Sequence, residues 1–247
     1  MSAGSTPPTF RSDFGSNRGA LRAGMREAIG APLLVLFASY VGFGSLVRES
    51  RLSLPAGLLS TLATWALPGQ IVSIELYAAG ASLLTIFIAV ALTNARMMAM
   101  TMTLLPLMRV PGRARWRLYA ASHLIAVTGW AVAMLRSPDI PPPQRLSYFV
   151  AFAATLLCGS MIGTAVGFVA SGSVPQPVSL GLVFVNPVYF MLLFLGDLRD
   201  RARVLALVFG AGLAPVMHAF APSWGLLLTG VVAGGLAFGL TRRRRRG

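Results

Sequence analysis

The sequence contains no lysine; all 21 of its basic residues are arginine. A phosphate-cradling Gly-x-x-x-x-Gly-Lys-Ser/Thr loop needs that lysine, so no nucleotide-hydrolysing loop of this kind is present. Acids are almost as scarce, seven in 247 residues. Asp13, Glu27, Glu49, Asp139, Asp197 and Asp200 fall in tails, boundaries or loops, which leaves Glu75 as the acid inside an apolar segment. The single cysteine, Cys158, excludes an internal disulfide and any multi-cysteine metal site. The two histidines, His123 and His218, stand in different apolar segments without metal-ligand spacing around them. No metal, no cofactor and no catalytic constellation is therefore expected, and the chain is read as something other than an enzyme. Charged residues make up 11% of the chain, against about 25% in a soluble domain.

What fills the chain instead is apolar: 55% hydrophobic residues and a mean hydropathy of +0.72. A soluble core does not hide that much apolar surface, whereas lipid does. The net charge of +14 resembles a nucleic-acid signal, but the arginines cluster in short stretches between apolar runs. That placement suits anchoring at a lipid bilayer and contact with anionic headgroups, so no nucleic acid is expected as a partner.

Eight apolar segments run over 28–47, 54–81, 83–108, 117–135, 147–171, 177–195, 203–220 and 223–240. A spanning helix needs about 20 residues. The expected fold is thus an all-α membrane protein with seven or eight transmembrane helices, a single polytopic domain over 28–240. Residues 1–27, polar and Gly/Ser/Thr-rich, read as a disordered cytoplasmic tail, and 241–247 as a basic C-terminal tail. Segment 54–81 is too long for one straight span, and Pro68-Gly69 at its middle predicts a helix break there. Freed backbone groups survive at membrane depth only inside protein or beside water, so the break marks a lined cavity or a packed kink. With eight spans, the arginine excess places both termini in the cytoplasm, but Arg109, Arg113, Arg115 and Arg117 then fall on the wrong side. Either that loop is tolerated or one segment is re-entrant. A shift of 92 residues lays segments 1–3 on segments 4–6 and Asn94 on Asn186. A 3+3 inverted repeat with broken helices is one reading, chance alignment of Gly-rich apolar sequence the other.

Arg96 stands near the middle of the third segment, where an arginine costs about 3 kcal/mol on insertion scales. Its guanidinium matches a substrate carboxylate with two parallel bonds; the alternatives are a structural pair with Glu75 or snorkelling to the surface. Asn94 and Asn186 can bind a ligand's ammonium or tie helices together. Gln70 follows the predicted break, where a half-helix would aim free N–H groups at an anion. Pro187 after Asn186 can break a second helix. Trp65, Met97, Met98 and Phe190 can wall a pocket, or be packing residues. Glu75, His123 and His218 are the candidates for proton coupling, with satisfied buried histidines as the plainer reading.

Three stretches then resemble the AzlC family, the large subunits of branched-chain amino-acid exporters. Trp65-Ala66-Leu67-Pro68-Gly69-Gln70 sits where the family has Phe-Ala-Gly-Ala-Ser-Gln. Asn94-Ala95-Arg96-Met97 sits where it has Asn-Leu-Arg-His. Leu180 to Phe190 is similar to its Gly-Leu-Asp-Phe-x-x-x-Pro-x-x-Phe stretch. Gln70, Asn94, Arg96, Pro187 and Phe190 match residue by residue. The family's His is Met97 here, its Asp is Val183, and an acidic pair is replaced near Thr128-Gly129-Trp130. The resemblance implies export of branched-chain or related amino acids by a secondary transporter subunit of the bacterial cytoplasmic (inner) membrane. It also implies assembly with a small AzlD-type membrane subunit, in keeping with Gly225, Gly230, Gly234, Gly235 and Gly239 in the last segment. A non-transporting membrane scaffold is the alternative.

Overall fold

The computed structural model describes residues 12–112, 114–171, 175, 177, 178, 180–184, 188, 201–220 and 225–244. Among the described residues the fold is all helix, with no strand. Helix α1 covers Asn17–Ala28, α2 Ala31–Glu49, α3 Leu54–Thr64, α4 Leu67–Ala78, α5 Leu83–Asn94 and α6 Arg96–Met108. Helix α7 follows over Trp116–Ser122, α8 over Val127–Arg136, α9 over Pro142–Ala170, α10 over Arg201–Phe220 and α11 over Gly225–Arg244.

The frame is a parallel pair, α2 alongside α9. Small residues let the two backbones touch: Gly44 lies on the carbonyl of Thr164, Gly163 on that of Phe37 and Gly167 on that of Val41. At the far end, Ser45 Oγ donates to the Gly167 carbonyl and Arg48 Nη1 to that of Phe168. Both helices therefore run from one end of the molecule, the base, to the other, the rim. Both are long and apolar enough to cross a membrane. Helices α5 and α6, bent by 42° at Ala95, are together long and apolar enough for a third crossing.

The first 27 residues are not tail throughout. Ser16 caps α1, accepting from the Gly19 N–H, and Ala20, Gly24 and Ala28 bury one face of it. Gly24 rests on the Tyr148 carbonyl, so α1 extends the α2–α9 pairing at the base. Its last turn is pinned by Glu27, which accepts from Arg136 at 2.7 Å and from the Tyr148 hydroxyl at 2.7 Å. A polar sequence with small residues every fourth position thus finds a helix when a long partner helix lies beside it.

Two of the apolar segments form hairpins of short helices, and among the described residues two helices, or three with the bent pair, are long and apolar enough to cross, where seven or eight were expected. In segment 54–81 the break falls at Trp65-Ala66, just before Pro68-Gly69. Proline has no N–H for the carbonyl of Thr64, and its ring would collide with that oxygen. The chain accordingly leaves the helix at Trp65, whose backbone is left-handed (φ 35°, ψ 45°), and Pro68 sits in the first turn of α4. Helix α4 then returns to the rim. Gln70 Nε2 donates back to Ser60 Oγ at 3.1 Å, and Ala56 and Tyr77 line the same small cavity beside Phe43 and Val47. Helix α5 descends beside α4 from that end and α6 carries the chain to the base, where Arg145 Nη1 donates to the Leu107 carbonyl at 3.1 Å. Helices α7 and α8 form a second hairpin, entering from the base. Its tip reaches α3, where His123 meets the Leu62 carbonyl, and α8 returns to place Arg136 on Glu27.

This path removes the misplaced arginines. Arg109, Arg115 and Arg117 lie at the base, with Arg136, Arg145 and α1, because each hairpin returns to the end from which it enters; Arg48 and Arg51 lie at the rim. A shift of 92 residues sets the straight α2 on the second tip and α8, so those two do not share a shape. Span followed by hairpin does recur, with inverted sense, in 31–78 and 83–136. Segment 177–195 lies largely outside the described residues. Helices α10 and α11 pack on each other, and α11 touches α5.

Candidate functional site

The two hairpins meet tip to tip, and a cavity of about 350 Å³ lies at the junction. The first tip contributes Trp65, Ala66, Leu67 and Pro68; the second contributes Ala126, Val127 and Thr128, with Trp130 one step along α8. The bent span adds Arg96, Met97 and Met100, and α2 adds Leu36 and Tyr40. Among the described residues its walls are aliphatic, aromatic and thioether, with Tyr40 and Thr128 bearing hydroxyls and Arg96 as the one charged residue.

Local chemistry explains why helices begin here. Helices α4, α6 and α8 all start at this wall, and none carries a side-chain cap on its first turn. The free N–H groups of a first turn, with the helix dipole behind them, favour an anion. The C-terminal side of the first tip is neutralised elsewhere: the Leu62 carbonyl, orphaned by the break, accepts from His123 Nε2 at 2.7 Å. A carbonyl only accepts, so Nε2 is the protonated nitrogen.

Arg96 is substantially buried, and its Nε has no hydrogen-bond partner and no exposure to solvent. The expected alternative, a pair with Glu75, does not form. Glu75 is exposed on α4 toward the rim, and the ion pair formed among the described residues is Arg136 with Glu27. Asn94 lies at the bend one residue before Ala95, and its Oδ1 is likewise buried without a partner. The Asn94 amide packs directly on Gly69, where an added Cβ would come within 2.6 Å of its nitrogen and its oxygen. The two broken elements thus touch at their breaks.

Gln70 takes a different place from the substrate contact expected of it. It is 1% exposed, and its amide is fully engaged by the protein. The Tyr40 hydroxyl donates to Gln70 Oε1 at 2.9 Å, while Nε2 donates to Ser60 Oγ and Thr61 Oγ1. Thr61 in turn shares a hydrogen bond with Thr164, and Trp65 Nε1 donates to Ser160 Oγ. This polar column behind the wall fixes the first tip to α2 and α9. The second tip is held more lightly, by His123 on Leu62 and by Trp130 Nε1 donating to Thr103 Oγ1 at 2.9 Å.

Of the residues singled out in the sequence, Trp65, Pro68, Arg96 and Met97 are brought together at the cavity, with Asn94 and Gly69 beside it. Met98 is 65% exposed on the outer face and is not part of the wall. Asn186, Pro187 and Phe190 lie outside the described residues, as does the side chain of His218, whose backbone belongs to α10. Sequence reasoning missed Leu36, Tyr40, Thr128 and Trp130 as wall residues. Gly129 beside an uncharged Thr128 in a short apolar segment is the faint signal that this segment too contains a break. A family model described as AzlC protein matches residues 32–174, which covers every described residue of the cavity. No curated protein and no solved structure matches the chain.

Proposed function

The chain belongs to the AzlC family, which is associated with branched-chain amino-acid transport, and from that premise we propose that it is a secondary transporter subunit, not an enzyme, exporting small carboxylate-bearing solutes with branched apolar side chains, branched-chain amino acids or close relatives. The observation that carries this reading is Arg96, its Nε buried without a partner, in a largely apolar cavity where two oppositely inserted hairpins meet. Broken helices around a site within the membrane are a recurrent arrangement in carriers. A cavity of about 350 Å³ falls within the range of small-molecule sites, about 300–1,000 Å³. The first tip is tied to the frame and the second is held more lightly, so rocking of α7–α8 would open the cavity to the base, while its closure on α3 and α5–α6 precedes opening to the rim. The base, rich in arginine, is assigned to the cytoplasm of a bacterial inner membrane, with the N-terminus on that side.

A small AzlD-type membrane subunit is proposed as partner. Gly230, Gly234, Gly235 and Gly239 on α11 have nothing within 4 Å of where a Cβ would stand, which leaves a small-residue face for a helix to approach. A scaffold with no transport role has no use for a half-buried arginine whose Nε is left without a partner.

Efflux of labelled leucine, valine, isoleucine and methionine from loaded cells tests the reading. Hydrogen bonds to a charged group contribute about 1.5–3 kcal/mol, so Arg96→Met is expected to slow export by about 10- to 100-fold with normal membrane insertion. Arg96→Lys keeps the charge but loses the fork, and is expected to recover only part of the rate. Export by Arg96→Met at the unaltered rate would remove Arg96 from the site.

A further inference from the structure

Among the described residues two buried side-chain polar atoms have no hydrogen-bond partner, and they flank one bend. Asn94 ends α5 with an acceptor, Oδ1, and Arg96 opens α6 with a donor, Nε. The two do not satisfy each other, although a single residue, Ala95, separates them. A buried polar group left unpaired costs stability, so a lone acceptor and a lone donor at one bend call for a ligand that brings the complementary pair.

The Asn94 oxygen is not tying helices together. Its amide lies against Gly69 in the first turn of α4, where an added Cβ would come within 2.6 Å of both Oδ1 and Nδ2. That contact is one of packing, and it leaves the oxygen unbonded. Residues three or four apart share a helix flank, and the cavity residues Met97 and Met100 follow Asn94 and Arg96 by one turn. The acceptor and the donor therefore stand on the flank of the bent span that the cavity occupies. Further acceptors stand on the two tips. Pro68 leaves the Thr64 carbonyl without its helical donor, and Thr128 brings its hydroxyl to the lining. An ammonium has three N–H bonds to place, and an amide oxygen, a carbonyl and a hydroxyl can receive them without an acid.

Resting on the reading of this cavity as the solute site, we propose that Asn94 selects the α-ammonium of the solute, with Gly69 as its positioning residue. The zwitterion straddles the bend. Its carboxylate lies on Arg96, its ammonium on Asn94 Oδ1, and its branched side chain over Met97, Met100 and Trp130. A solute of the same shape without the ammonium leaves Oδ1 unpaired and forfeits a hydrogen bond to a charged group, about 10- to 100-fold in affinity.

Trp65 and Trp130 line the cavity and report its occupation. The purified full-length chain is titrated at neutral pH with leucine and with 4-methylpentanoate, which is leucine without its ammonium, and tryptophan emission is followed. Leucine is expected to saturate at least about tenfold more tightly. In Asn94→Leu, leucine is expected to weaken to the level of 4-methylpentanoate, while 4-methylpentanoate itself binds as before. Asn94→Asp keeps an acceptor at this place and is expected to retain the preference for leucine. Gly69→Ala crowds the amide and is expected to weaken leucine more than 4-methylpentanoate. Equal losses for the two ligands in Asn94→Leu, or loss of the preference in Asn94→Asp, would make Asn94 a structural residue and overturn the proposal. Leucine binding no more tightly than 4-methylpentanoate to the unaltered chain overturns it as well, and leaves Arg96 and the transport reading standing. Saturation by neither ligand overturns the proposal and the reading of the cavity together.

Discussion

Gln70 and Arg96 show how differently two polar residues at two touching breaks can be used. Gln70 is saturated by Tyr40, Ser60 and Thr61, and its amide acts on the cavity only through the wall residue Tyr40. Replacing it with leucine of similar bulk leaves those hydroxyls to find other partners in a dry interior. A buried group left unpaired costs about 1–3 kcal/mol, so Gln70→Leu is expected to lower the unfolding midpoint in detergent by several degrees and to slow transport. An unchanged midpoint would mean that the column is not holding the first tip. The sequence marks Arg96, Trp65 and Pro68 clearly, because a charge in an apolar run and a proline in a helical one are visible as exceptions. It does not say which way a side chain turns. Met97 and Met98 are chemically alike and adjacent, yet one lines the cavity and the other lies 65% exposed. Only the angle at which α6 leaves the bend at Ala95 decides between them.

At the scale of elements, the contact between α2 and α9 is a backbone contact. A Cβ on Gly167 would land on the carbonyl oxygen of Val41, with no flexible side chain there to yield. Gly167→Ala is therefore expected to push the helices apart and sharply reduce the yield of folded protein. At Gly129 an added Cβ would meet the edge of the Phe149 ring at 3.4 Å, an ordinary contact, so Gly129→Ala is expected to be near neutral in the same thermal-melt assay. Equal losses at the two positions would contradict the close approach. The first hairpin was legible in outline, since segment 54–81 is too long for one crossing and carries a proline at its middle. The second was not. Helices α7 and α8, with the turn between them, together match the length of a span, and nothing in the apolar pattern of 117–135 distinguishes crossing from turning back. The deciding contacts, Leu62 with His123 and Glu27 with Arg136, are made to residues far away in the sequence.

For the whole molecule, the two hairpins change which turns share a side of the membrane. Ala79, between α4 and α5, belongs with Ser50 at the rim, and Ala114, between α6 and α7, belongs with Asp139 at the base. Eight straight crossings would exchange Ala79 with Ala114. With Cys158 replaced by alanine, a membrane-impermeant maleimide applied to intact cells is expected to label Ser50→Cys and Ala79→Cys and to spare Ala114→Cys and Asp139→Cys. Labelling of Ala114→Cys together with Ser50→Cys would restore the straight spans. The arginines at 109–117, which look like an exception in the sequence, are then an ordinary positive flank. The polar column behind the cavity also has a consequence in time. Trp65 leaves the ribosome 95 residues before Ser160, and Thr61 leaves it 103 residues before Thr164. At about 5–20 residues per second, the first tip waits roughly 5 to 20 seconds for the helix that receives it. Throughout that interval its left-handed turn and freed carbonyls have no α9 to rest on, so the hairpin joins the membrane domain late, as a piece parked until the fifth apolar segment arrives.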